Sequence, residues 1–322
     1  MAEILNPTKE SISKAAALLE SGGLAAFPTQ TVYGLGADAF SDHAVAEVFS
    51  VKGRPSFNPL IIHVADIARV YDFAEVTTVS KKLMESFFPA PLTLVLKRKP
   101  GCKISYLASA GLDTVAVRMP SHPVALDLIK TFGRPIAAPS ANKSGSISPT
   151  TAEHVEESLG ERIRIILDGG PCRVGLESTV LYAAEDLPVL LRPGGVTVEE
   201  IEARAGKVAA PSKDSESPMS PGQLSSHYAP SKPVRLNAKD RKEGEALLGF
   251  GRVENADMNL SISADLTEAA ANLFDYLRKL DASSCRTIAV SPIPVEKLGL
   301  AINDRLKRAA FSNPDNNKEG FP

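Results

Sequence analysis

An α/β fold, with a large mixed sheet followed by a smaller α/β unit, is predicted by three observations. Short apolar runs of strand length intermix with amphipathic helical stretches without strict alternation, which suits a mixed rather than a purely parallel sheet. A Pro/Ser-rich stretch then interrupts the pattern, and strand and helix patterns resume beyond it. The length of 322 residues accommodates two domains.

The first helix follows Pro7-Thr8, where Ile12, Ala15, Ala16, Leu18 and Leu19 keep helical spacing until Gly22-Gly23 stops the turn. Residues 24–27 form an apolar run read as a buried strand, and 28–36, rich in hydroxyls and glycine, read as strand–loop–strand. Ser41 or Asp42 caps a helix running to Val51. Strands are expected over 59–64, 92–96, 114–118 and 135–138, with helices over 77–88 and 122–132. Thr150 with Glu153 fits a capping box that opens a helix to Leu159. Strands over 163–167, 178–182 and 189–192 complete the first unit, which is expected to occupy 1–204. Five prolines and seven serines mark 207–233 as tether-like, so the expected linker spans 205–232. A second unit, 233–322, has strands over 245–250 and 287–290. It also has a helical stripe of Ala269, Ala270, Leu273, Phe274 and Leu277, a helix over 298–309 and a polar tail from Asn313.

Composition excludes several classes. With 36 Lys+Arg against 38 Asp+Glu, the net charge of −2 is unlike that of a general nucleic-acid coat. Three widely spaced cysteines form no CxxC pair, which argues against a disulfide scaffold or zinc module. No apolar run approaches the ~18 residues of a membrane span. The first residues do not resemble a signal peptide, so the cytosol is expected, with no membrane partner. A phosphate loop, a complete GxGxxG, HExxH and GxSxG are all absent, and the histidines show no metal-ligand spacing.

Polar clusters at strand ends remain. Lys52-Gly53-Arg54-Pro55, followed by Asn58-Pro59, holds two cations before a buried strand, an arrangement suited to an anion or to a solvated turn. Arg118 ends the apolar run Val115-Ala116-Val117, where an arginine requires a partner: a structural ion pair, or a bound carboxylate or phosphate. Pro139-Ser140-Ala141-Asn142 supplies small hydroxyl and amide groups, as many ordinary turns do. Glu177-Ser178-Thr179-Val180 and Leu191-Arg192-Pro193-Gly194 are weaker signals. A histidine on a strand, such as His63, more often serves the core than a ligand. If Lys52, Arg54, Arg118 and Arg192 converge, they form a basic cavity for a polyanion.

PTQTVYGLG, KGRP, NPL, TVAVRMP, PSAN, ESTV and LRPG, in this order over residues 8–204, resemble the YrdC-like threonylcarbamoyl-AMP synthases. SPGQLSSHYAP at 220–230 resembles the linker of the long form, which carries an extra C-terminal domain. Ser225-Ser226 stands where related linkers often carry a basic residue.

The resemblance implies a YrdC-like twisted mixed sheet flanked by helices around a basic cavity, and a smaller Rossmann-like C-terminal domain. It implies condensation of L-threonine, bicarbonate and ATP to threonylcarbamoyl-adenylate and pyrophosphate, a nucleotidyl transfer, with Mg²⁺ carried on the ATP phosphates. The product would pass to a tRNA threonylcarbamoyl transferase complex; weak RNA binding is a further expectation.

Carried over by position, Thr31 and His63 line the threonine pocket, and Arg118 clamps the carboxylate with the Ala138 backbone and Ser178. Lys52 and Arg54 are the catalytic cations, meeting phosphates and bicarbonate with Asn58. Thr114, Ser140, Asn142, Ser148 and Arg192 hold ATP, and Tyr228 approaches the nucleotide as part of a linker lid. No dedicated protein metal site is expected. Two rival readings are an RNA-binding module, disfavoured by few aromatics, and a carbamoyl-transfer protein, which would bring cysteine pairs and an acylphosphatase-like region.

Overall fold

The computed structural model describes residues 1–210 and 227–311. The chain opens with a short strand that the sequence reading missed, β1 (Glu3–Leu5), and then α1 (Lys9–Glu20). Thr8 caps α1 reciprocally with Ser11. β2 (Ala25–Phe27) and β3 (Gly34–Asp38) flank a loop, and α2 (Asp42–Lys52) starts at the Ser41 cap and stops at left-handed Gly53. β4 (Ile61–His63), a 3₁₀ turn over Ile67–Asp72, α3 (Thr78–Phe87), β5 (Leu92–Lys97) and β6 (Thr114–Arg118) follow. α4 (Pro123–Phe132) begins on a proline and ends at left-handed Gly133.

After β7 (Ile136–Ala137) comes α5 (Ala152–Leu159). Its cap is Thr151, which accepts from the His154 amide, and not Thr150. That one-residue offset moves Glu153 out of the position from which it could complete a capping box. Thr150 instead contacts the His154 ring. The first unit closes with β8 (Ile165–Leu167), β9 (Thr179–Tyr182), β10 (Val189–Arg192) and the unanticipated α6 (Val198–Ala205), which packs on α3.

Ten strands form one mixed sheet in the order β1-β8-β2-β3-β7-β4-β6-β5-β9-β10. One face packs along its length on α2, α3, α5 and α6 through Val48, Leu83, Val155 and Ile201. α1 and α4 cover the other face only toward the β1–β7 end, through Leu19, Leu128 and Phe132. Among the described residues, α1 and α4 leave the β4–β10 half of that face uncovered.

The second unit comprises β11 (Val234–Arg235), β12 (Glu245–Gly249), β13 (Met258–Asn259), α7 (Leu266–Ala282), β14 (Thr287–Val290) and α8 (Leu298–Ala309). Its four strands are all parallel, in the order β11-β14-β12-β13. Its core also takes in Val32, Ile147 and Leu176 of the first unit. Gly175 lets the α7 backbone come close: a Cβ there would lie 2.5 Å from the Ala270 carbonyl oxygen. Residues 220–226 and the tail from Asn313 lie outside the described residues.

Candidate active site

Alternation along the strands sorts two kinds of side chain. Ile62, Leu94, Val117 and Leu181 point into the helix-covered core. Their neighbours point to the uncovered face. His63 pairs with Arg118, Thr93 with Val180, and Val180 with Arg192. Leu94 pairs with Val117, which sets Thr93 beside Arg118. One row across five strands thus reads His63, Arg118, Thr93, Val180, Arg192. The row beside it, with Ile61, Ala116 and Val95, is an apolar floor with Tyr182 at its edge.

A cavity lies against the polar row. Of the expected residues it is lined by Thr31, Arg54, His63, Arg118, Ala138, Ser140, Ser178, Arg192 and Tyr228, joined by Glu177 and His227. Three of the four expected cations therefore share one wall. Arg118 donates from Nη1 to Thr31 Oγ1 at 2.8 Å, while its Nε and Nη2 have no partner. Those two donors form one edge of the guanidinium, the fork that a carboxylate fills bidentately. Arg54 is held by the carbonyls of Asn58 and Pro59 at 3.0 and 2.8 Å. Arg192 donates from Nε and Nη2 to the Ser178 carbonyl, and the Ser178 hydroxyl lies 2.7 Å from that of Thr93. A Cβ on Gly194 would sit 2.3 Å from the Ser178 and Thr179 backbone, so only glycine lets this return strand lie so close.

Burial sets the charge states. It lowers the Arg54 and Arg118 guanidiniums to about 9, with neighbouring Arg192 adding to the depression in both. Burial, then the Arg118 charge, brings His63 down to about 3, so its imidazole is neutral at ordinary pH. Nδ1 faces the Ile61 carbonyl at 3.1 Å and must carry the proton, which leaves Nε2 as an acceptor. His227 falls to about 3, first from burial.

Other expected residues stand behind the wall. The Lys52 ammonium donates to the carbonyls of Ser140 (2.6 Å) and Asn142, so in this structure it fastens the PSAN turn. The Asn142 amide knits the same turn to the Lys143 and Ser146 carbonyls. Ser148 donates to Glu177 Oε1 at 2.6 Å. Asn58 is buried, with neither amide atom partnered. Thr114 pairs with Lys97 at the start of β6, four residues before Arg118, roughly 13 Å along the strand. It lies beyond the enclosed cavity but on the same sheet face. The Ala138 amide donates to the Ile61 carbonyl at 2.9 Å, and Ala138 itself lines the cavity.

Tyr228 adopts left-handed backbone and stacks on Phe274 of α7, ring centres 5.5 Å apart. His227 meets it edge-on at 4.0 Å. Asn58, Arg118, Asn142, His227 and Tyr228 all retain buried polar atoms without protein partners. Buried polar groups are normally satisfied, and three of these residues, Arg118, His227 and Tyr228, line the cavity, which points to a polar ligand there.

The family described as "Telomere recombination", the Sua5/YciO/YrdC group, matches residues 17–194, and the C-terminal domain of threonylcarbamoyl-AMP synthase matches 196–311. A threonylcarbamoyl-AMP synthase of Bacillus subtilis is 44% identical over 95% of this chain and 94% of its own. The chain belongs to the threonylcarbamoyl-AMP synthase family. The Schizosaccharomyces pombe member is 36% identical over 94% of this chain and 89% of its own. The crystal structure of Pyrococcus abyssi Sua5 complexed with L-threonine superposes with a TM-score of 0.89 at 40% identity, covering 96% of this chain and 98% of that one. The mixed sheet and the separate parallel sheet are thus the fold of a family of enzymes. Among the described residues no helix is long and apolar enough to cross a membrane.

Two wall features escaped the sequence reading. Glu177 was visible in ESTV but had no assigned role. Arg305 sits in an amphipathic helix, and nothing in its spacing separates it from a solvated arginine.

Proposed function

We propose that this chain is a nucleotidyltransferase that condenses L-threonine, bicarbonate and ATP to threonylcarbamoyl-adenylate, releasing pyrophosphate. The observation that carries the reading is the buried row of guanidiniums facing one cavity beside His63, Thr31 and Ser178. The free edge of Arg118 takes the threonine carboxylate. Surrounding cations disfavour an ammonium, and His63 Nε2 accepts an N–H of the neutral amine. The amine attacks the bicarbonate carbon, water leaves, and a carbamate forms. A carbamate oxygen then attacks the α-phosphorus as pyrophosphate departs.

None of these steps needs a side-chain nucleophile; they need positioning, charge neutralisation and exclusion of water. Arg54 and Arg192 neutralise phosphate oxygens, and Lys52 holds the turn that presents Ser140. The apolar floor of Ile61, Ala116 and Val95 gives the adenosine a surface leading toward Thr114. The one carboxylate among the described wall residues, Glu177, is already held by Arg305 and Ser148. Mg²⁺, which favours phosphate and water oxygens, would ride on the triphosphate and screen its charge. The product would be consumed by a transferase acting on tRNA, in the cytosol.

Pyrophosphate release tests this directly. Turnover that requires ATP, L-threonine and bicarbonate together is expected. Salt-sensitive RNA binding without turnover would replace the reading with the RNA-binding alternative.

A further inference from the structure

The second domain sends one side chain against the back of the cavity wall. Arg305 of α8 is completely buried. Its Nε donates to Glu177 Oε2 and its Nη1 to the Pro193 carbonyl, both at 2.8 Å. Its guanidinium carbon lies 5.3 Å from the centre of the Tyr228 ring. Three separate stretches of wall meet on this one group.

Glu177 gives that contact its meaning. It is the only carboxylate among the described wall residues. In a cavity for a triphosphate, an unpaired carboxylate would repel the ligand. Docking α8 does not by itself call for a cation, because an apolar side chain would pack there without stripping water from a charge. We infer that Arg305 is a positioning residue of the nucleotide site, neutralising Glu177 so that the one carboxylate among the described wall residues does not repel the phosphates. The inference rests on the ATP reading above.

Around Glu177 stand Arg305 and Asp304 of α8, Arg192 of β10, Arg118 of β6, the Ser148 hydroxyl, and His227 with Tyr228. Burial disfavours its charge, but Arg305 and then Arg192 hold it ionised below the usual carboxylate range. Without Arg305 the carboxyl titrates higher and takes up a proton as the pH falls.

The test is steady-state pyrophosphate release, varying ATP and L-threonine separately, together with calorimetric ATP binding. Arg305→Met is expected to raise the KM and Kd for ATP about tenfold and the KM for threonine less than about twofold. Adding Glu177→Gln should restore most of the loss, and Arg305→Lys should be intermediate. In Arg305→Met alone, the KM for ATP should fall as the pH is lowered and Glu177 takes up a proton, a trend the native protein lacks. Parallel rises in both KM values, with no rescue and no pH effect, would reduce Arg305 to an interdomain anchor and overturn the inference. Should Arg305→Met not fold, the Arg305→Met/Glu177→Gln pair carries the test, since it removes the Glu177 charge together with its partner and leaves Asp304 paired with Arg308. A near-native KM for ATP then supports the inference, and a tenfold rise overturns it. Native protein that binds no ATP would overturn the ATP reading instead.

Discussion

The ten-stranded sheet mixes parallel and antiparallel neighbours, and among the described residues α1 and α4 leave half of one of its faces uncovered, whereas the four strands of the second sheet are all parallel. Residues 246–248 show the consequence: Ala246 and Leu248 enter the core shared with α7 and α8, while Leu247 enters a second cluster with Ala238 and Ala289. A sheet apolar on both faces has no place for a buried row of charges. In the large sheet the second face of β4, β6 and β5 is free of that demand, and His63, Thr93 and Arg118 occupy it. Chemistry sits where the packing leaves a face unclaimed, and the second domain acts on it from outside, through Arg305.

The comparison breaks most sharply at Arg118. Arg118→Ala removes the guanidinium edge left open in the polar row. A charged hydrogen bond contributes ~1.5–3 kcal/mol, so kcat/KM for threonine should fall ~10–100-fold. The KM for ATP should change far less; equal effects would contradict the carboxylate clamp.

A matched glycine pair gives a middle-sized effect. Gly194→Ala forces a methyl to 2.3 Å from the Ser178 backbone, while Gly249→Ala in the second sheet meets the Asn259 side chain at 2.9 Å. Both should lower the melting temperature, since overpacking costs ~1–3 kcal/mol. Only Gly194→Ala should also lower turnover per folded molecule, because it displaces the residue that Arg192 grips. Equal turnover in the two variants would separate activity from that contact.

The smallest effect is a pH dependence to which His63 of the first sheet contributes. His63 has a folded pKa of about 3, below its unfolded value, so the unfolded chain binds more protons between those values. Stability therefore falls as the pH drops below about 6.5 toward 3. His63→Gln should flatten part of that decline in melting temperature. Residues 233–311 contain no histidine and should contribute none of it by this route. An unchanged acid slope in His63→Gln would show that the ring is not the proton acceptor.

Much of this was legible before any coordinates. Short apolar runs, and Ser41 and Gly53 at the ends of α2, are local signals, and they located most elements. The condition is the convergence of Lys52, Arg54, Arg118 and Arg192: the strand register brings Arg118 and Arg192 into one row and Arg54 lines the same cavity, whereas Lys52 stands behind the wall. What the sequence did not reveal depends on contacts between distant segments. β1 is three residues long and exists by pairing with β8. Thr151 takes the cap of α5 by one residue. Lys52 reads as a phosphate ligand by type, but a nearby turn offers its ammonium two carbonyls. The partnership of Glu177 and Arg305 spans 128 positions of sequence and has no local trace.

The place of α8 in the chain has a bearing on biosynthesis. Domains emerge from the ribosome in order and tend to fold as they appear. The large sheet can therefore assemble while Glu177 still faces solvent, and the guanidinium that will cover it is among the last described residues to be made. A product that stopped short of residue 298 would carry the whole polar row with its acidic wall residue unneutralised. Quality control that monitored only the first domain would pass such a fragment.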